Sequence, residues 1–275
     1  MIQIDLDSRL KLNNGVEIPY LGLGTYNIRT QKDVDLAIHS AFEIGYRLID
    51  SAAGYYNESE IGKALKTASV PREEIFITTK LDNSDHGYQN TLNAFDESLK
   101  KLDCGYIDLY LIHWPESLRN ESWKAMEEIL KGDKCRAIGV SNFTVRHLED
   151  LSKNSSVTPA VNQFEFNPFV YQKEISDYCK ANNIVVEAYT PIARNHKFYH
   201  PVIKEASDKY KKTPAQIMLR WSLQHKAIVI PKSSNPDRIK ENSEIFDFII
   251  SDKDMSKLNS LNEDLRLSPD PYLYK

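Results

Sequence analysis

Cysteine is scarce in this chain. Its 275 residues include three, Cys104, Cys135 and Cys179, far apart and without CxxC spacing. That argues against a disulfide framework and against a structural zinc site, so no metal is expected. Buried, reduced thiols in a reducing compartment fit better. A basic excess is also missing: 35 Lys and Arg stand against 39 Asp and Glu, a formal net charge of -4. That balance points neither to nucleic acid nor to an anionic membrane surface. No apolar run approaches the length of a membrane span. The opening MIQIDLDSRL carries acids and few apolar side chains, unlike a signal peptide. A cytoplasmic location is therefore expected, with the Asn120-Glu121-Ser122 sequon unused. No Pro/Ser-rich linker or low-complexity segment divides the chain, and residues 1–275 are expected to form one domain.

A complete glycine-rich dinucleotide turn is absent too. GLGTYN holds half of GxGxxG and leads into no immediate helix. What recurs instead is a short apolar, β-branched run followed by an amphipathic stretch. The runs end at Thr25, Asp50, Lys80, His113, Val140, Gln163, Tyr189 and Lys232. They are apolar on both faces, as parallel strands covered on both sides should be. Segments such as Val34 to Ile44 carry apolar residues at three- and four-residue steps, and Thr213-Pro214 reads as an N-cap and first turn. Eight such units in this length fit a (β/α)8 TIM barrel better than a doubly wound sheet. Ahead of them, Asn14-Gly15 between apolar flanks reads as an N-terminal β-hairpin, placed to close the barrel bottom.

In such a barrel the active site lies at the C-terminal strand ends. Those ends hold Thr25, Asp50, Lys80, His113, Ser141-Asn142, Gln163, Tyr189 and Lys232, each bearing a polar tip. If neighbouring strands bring Asp50 and Lys80 together, the carboxylate can hold the ammonium. The ammonium beside Tyr55 would then favour its phenolate and make the phenol a better acid. His113 would be placed to hydrogen-bond the oxygen that Tyr55 protonates, a set suited to a carbonyl gaining negative charge. Spacing alone leaves the alternatives open: a structural ion pair and a core histidine. Lys232, Ser233, Ser234 and Arg238 crowd the start of a helix at Pro236, an arrangement that suits a phosphate. Asn142 and Gln163 offer amide groups suited to a carboxamide.

LGLGT, RLIDSAAGYYNE, ITTK, LYLIHWP, IGVSNF, VNQFEFNP, AYTPIA and IPKSSNPDRIKEN follow one another in the order of a known family. On these motifs the chain resembles the aldo-keto reductase superfamily over nearly its whole length. Its compact form is similar to diketogluconate reductases and protist prostaglandin F synthases. The resemblance implies a (β/α)8 barrel and NADPH-dependent reduction of aldehydes and ketones. It places the catalytic tetrad on Asp50, Tyr55, Lys80 and His113, and selects Tyr55 over Tyr56. It implies nicotinamide contacts from Thr25, Asp50, Ser141, Asn142, Gln163 and Tyr189, with Thr190 and Ile192 along the pyrophosphate. Lys232, Ser233 and Arg238 would take the 2′-phosphate, and Glu241 and Asn242 the adenine.

Two departures stand out. Leu81-Asp82-Asn83 occupies the place of a common Leu-Trp-Asn, which implies a more open and more acidic pocket. Asp50-Ser51-Ala52 replaces Asp-Thr-Ala, a mild change. The expected substrate walls are Tyr26, Tyr56, Asp82, His113 and Trp114. The tail after Leu265 is short, and a broad substrate scope is expected of a monomer acting on small carbonyl compounds. Two other readings are a barrel hydrolase using Asp50 with Glu58, and a non-enzymatic NADPH-binding or structural member of the same family.

Overall fold

Strands that are apolar on both faces need cover on both faces, and this chain provides it by curling its sheet shut. The computed structural model describes residues 4–274. A hairpin comes first: β1 (Arg9–Lys11) pairs antiparallel with β2 (Glu17–Pro19). Its turn closes with Leu12 N donating to Val16 O at 2.8 Å, and Gly15 takes the positive φ of 90° that the turn requires. The barrel strands follow as β3 (Leu23–Gly24), β4 (Leu48–Asp50), β5 (Phe76–Leu81), β6 (Leu109–Ile112), β7 (Ile138–Ser141), β8 (Val161–Glu165), β9 (Val185–Tyr189) and β10 (Ile228–Val229). They pair in parallel in sequence order. The parallel bridges Leu21↔Val229 and Gly24↔Lys232 join the last strand to the first. That seam is tight: a β-carbon on Gly24 would stand 2.8 Å from Ile230 O.

The helices are α1 (Gln31–Ile44), α2 (Glu58–Thr67), α3 (Tyr88–Leu102), α4 (Arg119–Lys131), α5 (Val145–Asn154), α6 (Lys173–Ala181), α7 (Pro201–Tyr210), α8 (Pro214–Gln224), α9 (Pro236–Ser243) and α10 (Asp252–Asn259). Thr213 caps α8 in a reciprocal capping box with Gln216. The alternation departs from one helix per strand after β9, where α7 precedes α8. In α7 only Ile203 and Ala206 are buried, too narrow an apolar stripe to announce a helix in the sequence. Among the described residues, no helix is long and apolar enough to cross a membrane.

Alternate residues of each strand divide the core. Ile49, Ile77, Tyr110, Ile112 and Val140 face the helix ring with Trp123 and Trp221. Leu48, Phe76, Leu109, Leu111 and Val161 fill the barrel interior, where Leu12 and Ile18 of the hairpin pack beneath them. Asn14 Nδ2 donates to Arg136 O at 2.9 Å and Asn13 Nδ2 to Pro159 O at 3.0 Å, so the hairpin tip is tied across the bottom. With the lower end packed and closed, the polar strand ends converge on the opposite rim.

Candidate active site

β4 delivers Asp50 to that rim, and a one-turn 3-10 helix, Ala53–Tyr55, follows at once. Buried Asn57 fixes this segment. Its Nδ2 donates to Thr25 O at 3.0 Å and Ile28 O at 2.8 Å, and its Oδ1 accepts from Ser51 Oγ at 2.8 Å. The turn directs Tyr55 over the barrel mouth. Tyr56, next along, takes a left-handed backbone (φ 57°) and is 80% exposed. The expectation that Tyr56 walls the pocket is therefore corrected: the left-handed residue that ends the turn points its ring into solvent. Gly54 lets the Asp82 carboxylate come close, since a β-carbon there would meet Asp82 Oδ2 at 2.5 Å and push that side chain aside.

Lys80 is the centre of the site. Its Nζ donates to Asp50 Oδ1 and Oδ2 at 2.7 and 2.9 Å and to Ser51 O at 2.7 Å, and it lies 3.5 Å from the Tyr55 hydroxyl. Burial alone would lower the lysine's pKa, but Asp50, then Tyr55 and Glu187, raise it above its ordinary value, so the ammonium stays charged. For Tyr55 the balance runs against the sequence expectation. Burial raises the phenol's pKa more than Lys80 lowers it, and the net shift is upward. Tyr55 thus keeps its hydrogen at neutral pH, the form a proton donor needs. Its ring meets Tyr26 edge-on at 5.1 Å and His113 at 5.7 Å. Burial and the nearby Lys80 push His113 down to about 3, opposed only weakly by Asp82, so the imidazole is neutral.

Around this group lies a cavity of about 920 Å³. Asp50, Tyr55 and His113 border it, and so do Lys232 and Arg238. Thr190 and Ile192 lie on its wall together with Arg194, a cation the sequence reading did not single out. Tyr26, Asp82 and Trp114 line the mouth. Ser141, Asn142, Gln163 and Tyr189 also reach the cavity. Asn142, at φ 63°, donates from Nδ2 to His113 O at 2.9 Å and accepts from the Tyr189 hydroxyl at 2.7 Å. Gln163 Nε2 donates to both Asp50 Oδ2 (2.8 Å) and Glu187 Oε2 (2.9 Å). Glu187, fully buried on β9, was not singled out by the sequence reading.

Several expected contacts do not border the cavity. Thr25 stands behind it, its hydroxyl donating to Asp50 O at 2.9 Å. Ser233 Oγ accepts from Asn235 N at 3.1 Å and closes the turn before α9. Glu241 accepts from Thr213 Oγ1 at 2.5 Å and joins α9 to α8, and its neighbour Asn242 is buried. Glu58, the hydrolase candidate, faces away from the cavity and accepts from Thr79 Oγ1 at 2.6 Å. A hydrolytic carboxylate pair with Asp50 is thus not assembled. Among the described residues no cluster of three His, Cys, Asp or Glu is placed to hold a metal.

The tail also differs from expectation. Short as it is, it crosses the mouth, because Glu165 at the end of β8 accepts from Leu267 N at 3.0 Å and Ser268 N at 3.2 Å. Leu267, Ser268 and Pro269 line the cavity, and Tyr274 stacks on Trp114 at 5.3 Å.

A closed parallel barrel thus carries a buried Asp-Lys pair beside a phenol and an imidazole at its rim, and comparison with known proteins gives its family. The chain matches the Aldo/keto reductase family over residues 20–263 and belongs to that family. It is 46% identical to a glyoxal reductase of Bacillus subtilis over 97% of both chains. Among solved structures it resembles an aldo-keto reductase from a Medee basin deep-sea metagenome library, with TM-score 0.92, 42% identity and coverage of 96% of this chain and 98% of that one. It also resembles a Bombyx mori aldo-keto reductase in complex with NADP, with TM-score 0.90, 34% identity and coverage of 97% and 96%. The compact family form, the (β/α)8 barrel and a carbonyl-reducing enzyme class are thereby established.

Proposed function

We propose that this protein is an NADPH-dependent reductase of small aldehydes and ketones, with Tyr55 as the proton donor. The observation that carries the reading is Lys80 Nζ, which bonds the Asp50 carboxylate and lies 3.5 Å from the Tyr55 hydroxyl at the floor of the cavity. The residues present suit the cofactor. Amide groups of Asn142 and Gln163 stand near the tetrad for a carboxamide, and the Tyr189 ring stands beside them for stacking. On this reading Lys232 and Arg238, which line the cavity, take the 2′-phosphate end of the cofactor, and Arg194, also on the lining, takes the pyrophosphate. Thr190 and Ile192 would flank the pyrophosphate. Ser233, Glu241 and Asn242 support the 2′-phosphate end through the turn and helix that carry Arg238.

A reduced nicotinamide held by these residues would supply the hydride for the carbonyl carbon. The chain's own residues do the rest. Neutral His113 donates a hydrogen bond to the substrate oxygen and orients it toward Tyr55. Tyr55 hands its proton to that oxygen as negative charge develops there. Lys80 favours the resulting phenolate, and Asp50 keeps Lys80 charged and in place.

The substrate class follows from the mouth. Asp82, with Asn83 and Ser268 also on the lining, makes part of the wall polar, which favours small, polar, uncharged carbonyls such as dicarbonyls. The similarity to a glyoxal reductase supports this choice. The described cysteines are all free and buried, which fits the cytoplasm. Mixing the protein with NADPH and glyoxal should deplete the nicotinamide absorbance. Fluorescence quenching by NADPH without turnover on any aldehyde would favour a binding role instead.

A further inference from the structure

The carboxyl of Glu187 lies inside the barrel, wholly buried beneath the cavity floor. Its Oε2 accepts from Gln163 Nε2 at 2.9 Å, and the same nitrogen donates to Asp50 Oδ2 at 2.8 Å. One amide group thus uses both hydrogens to tie two acidic side chains together. Glu187 Oε1 has no partner. The charged groups facing Glu187 are Asp50 on β4 and Lys80 on β5. Its register neighbours are Gln163 on β8 and Ile228 on β10. Lys80 bonds directly to Asp50 and reaches Glu187 only through space. A single cation therefore stands against two buried acids, and the one without direct contact is the one to carry a proton.

We propose that Glu187 is a positioning residue of the proton-transfer group. As a neutral acid it holds Gln163, and through it Asp50. By releasing its proton to solvent it adds a negative charge facing Lys80, which offsets the cation that favours the Tyr55 phenolate and so weakens Tyr55 as a donor. Burial first, then Asp50, places that release at about 8. The inference rests on the carbonyl-reductase reading above.

The test compares kcat for reduction at pH 7 and pH 9 in the wild type, Glu187→Gln and Glu187→Asp. Gln keeps an acceptor for Gln163 but cannot ionise, whereas Asp can. The wild type should lose about tenfold between the two pH values, as expected one unit past a controlling group. Glu187→Gln should lose less than about twofold, and Glu187→Asp should retain the fall. Infrared difference spectra provide a readout apart from turnover. A protonated-carboxyl C=O band should vanish over the same range in the wild type and be missing in Glu187→Gln. Parallel pH profiles for wild type and Glu187→Gln, or no titrating band, would overturn the proposal while leaving the reductase intact. A titrating band with no turnover at any pH would overturn the reductase reading as well and leave Glu187 a structural acid.

Discussion

Lys80 Nζ bonds both carboxylate oxygens of Asp50, at 2.7 and 2.9 Å, with both side chains buried. Removing one partner leaves the other charge stranded in the barrel. Lys80→Met should therefore destabilise the fold by about 3–5 kcal/mol and abolish reduction. The double variant Asp50→Asn/Lys80→Met should regain much of that stability in urea unfolding while staying inactive. Recovery of activity in the double variant would show that the pair serves the fold alone.

Arg238 and Lys232 both line the cavity, where the proposed reading puts the 2′-phosphate end of the cofactor. A charge-assisted contact to a phosphate contributes about 1.5–3 kcal/mol. Arg238→Ala should weaken NADPH binding by roughly ten- to a hundredfold and leave NADH binding nearly unchanged. Titration of protein fluorescence with each cofactor measures both. Equal losses would remove the 2′-phosphate from this end.

The Asp82 carboxylate is held at the mouth by Ser84, whose N and Oγ donate to Oδ1 at 3.1 and 2.9 Å. A fixed charge there should repel anionic substrates. Asp82→Asn should raise kcat/KM for a carboxybenzaldehyde about fivefold relative to a neutral benzaldehyde, the effect of roughly 1 kcal/mol between nearby charges in water. An unchanged ratio would place Asp82 out of contact with bound substrate.

Two histidines held neutral, His86 and His113, should make the fold acid-sensitive. Burial holds His86 down to about 4 and His113 down to about 3. The unfolded chain binds their protons near pH 6.5, whereas the native chain resists until those lower values. Stability from both should be complete above pH 6.5 and decline as pH falls toward 4. The urea midpoint should drop between pH 7 and pH 4.5, and less steeply in His113→Asn. Equal slopes would mean that His113 titrates alike in the folded and unfolded chain.

The barrel was legible because its logic is periodic. Eight apolar runs, each ending in or followed at once by a polar residue, mark both the strand count and the rim, and Asp50, Lys80, Tyr55 and His113 meet there. What escaped was anything set by local backbone geometry or by position inside a strand. Tyr56 stands next to Tyr55 in the sequence, but the left-handed turn sends the two rings apart. Asn57 looks like an ordinary turn residue until its amide is seen to staple two strand ends. Glu187 is hidden in IVVEAY, where only inward orientation reveals its reach toward Asp50. The tail's course depends on Glu165, whose role lies in the backbone groups it captures. The upward shift of Tyr55 reflects a burial cost that residue spacing does not report.

The most direct test of the account replaces one oxygen. NADPH consumption with glyoxal should be measured for the wild type and for Tyr55→Phe, alongside quenching of protein fluorescence by NADPH. The account predicts loss of about 10²–10⁴-fold in turnover with quenching retained. Turnover by Tyr55→Phe at the wild-type rate would contradict it.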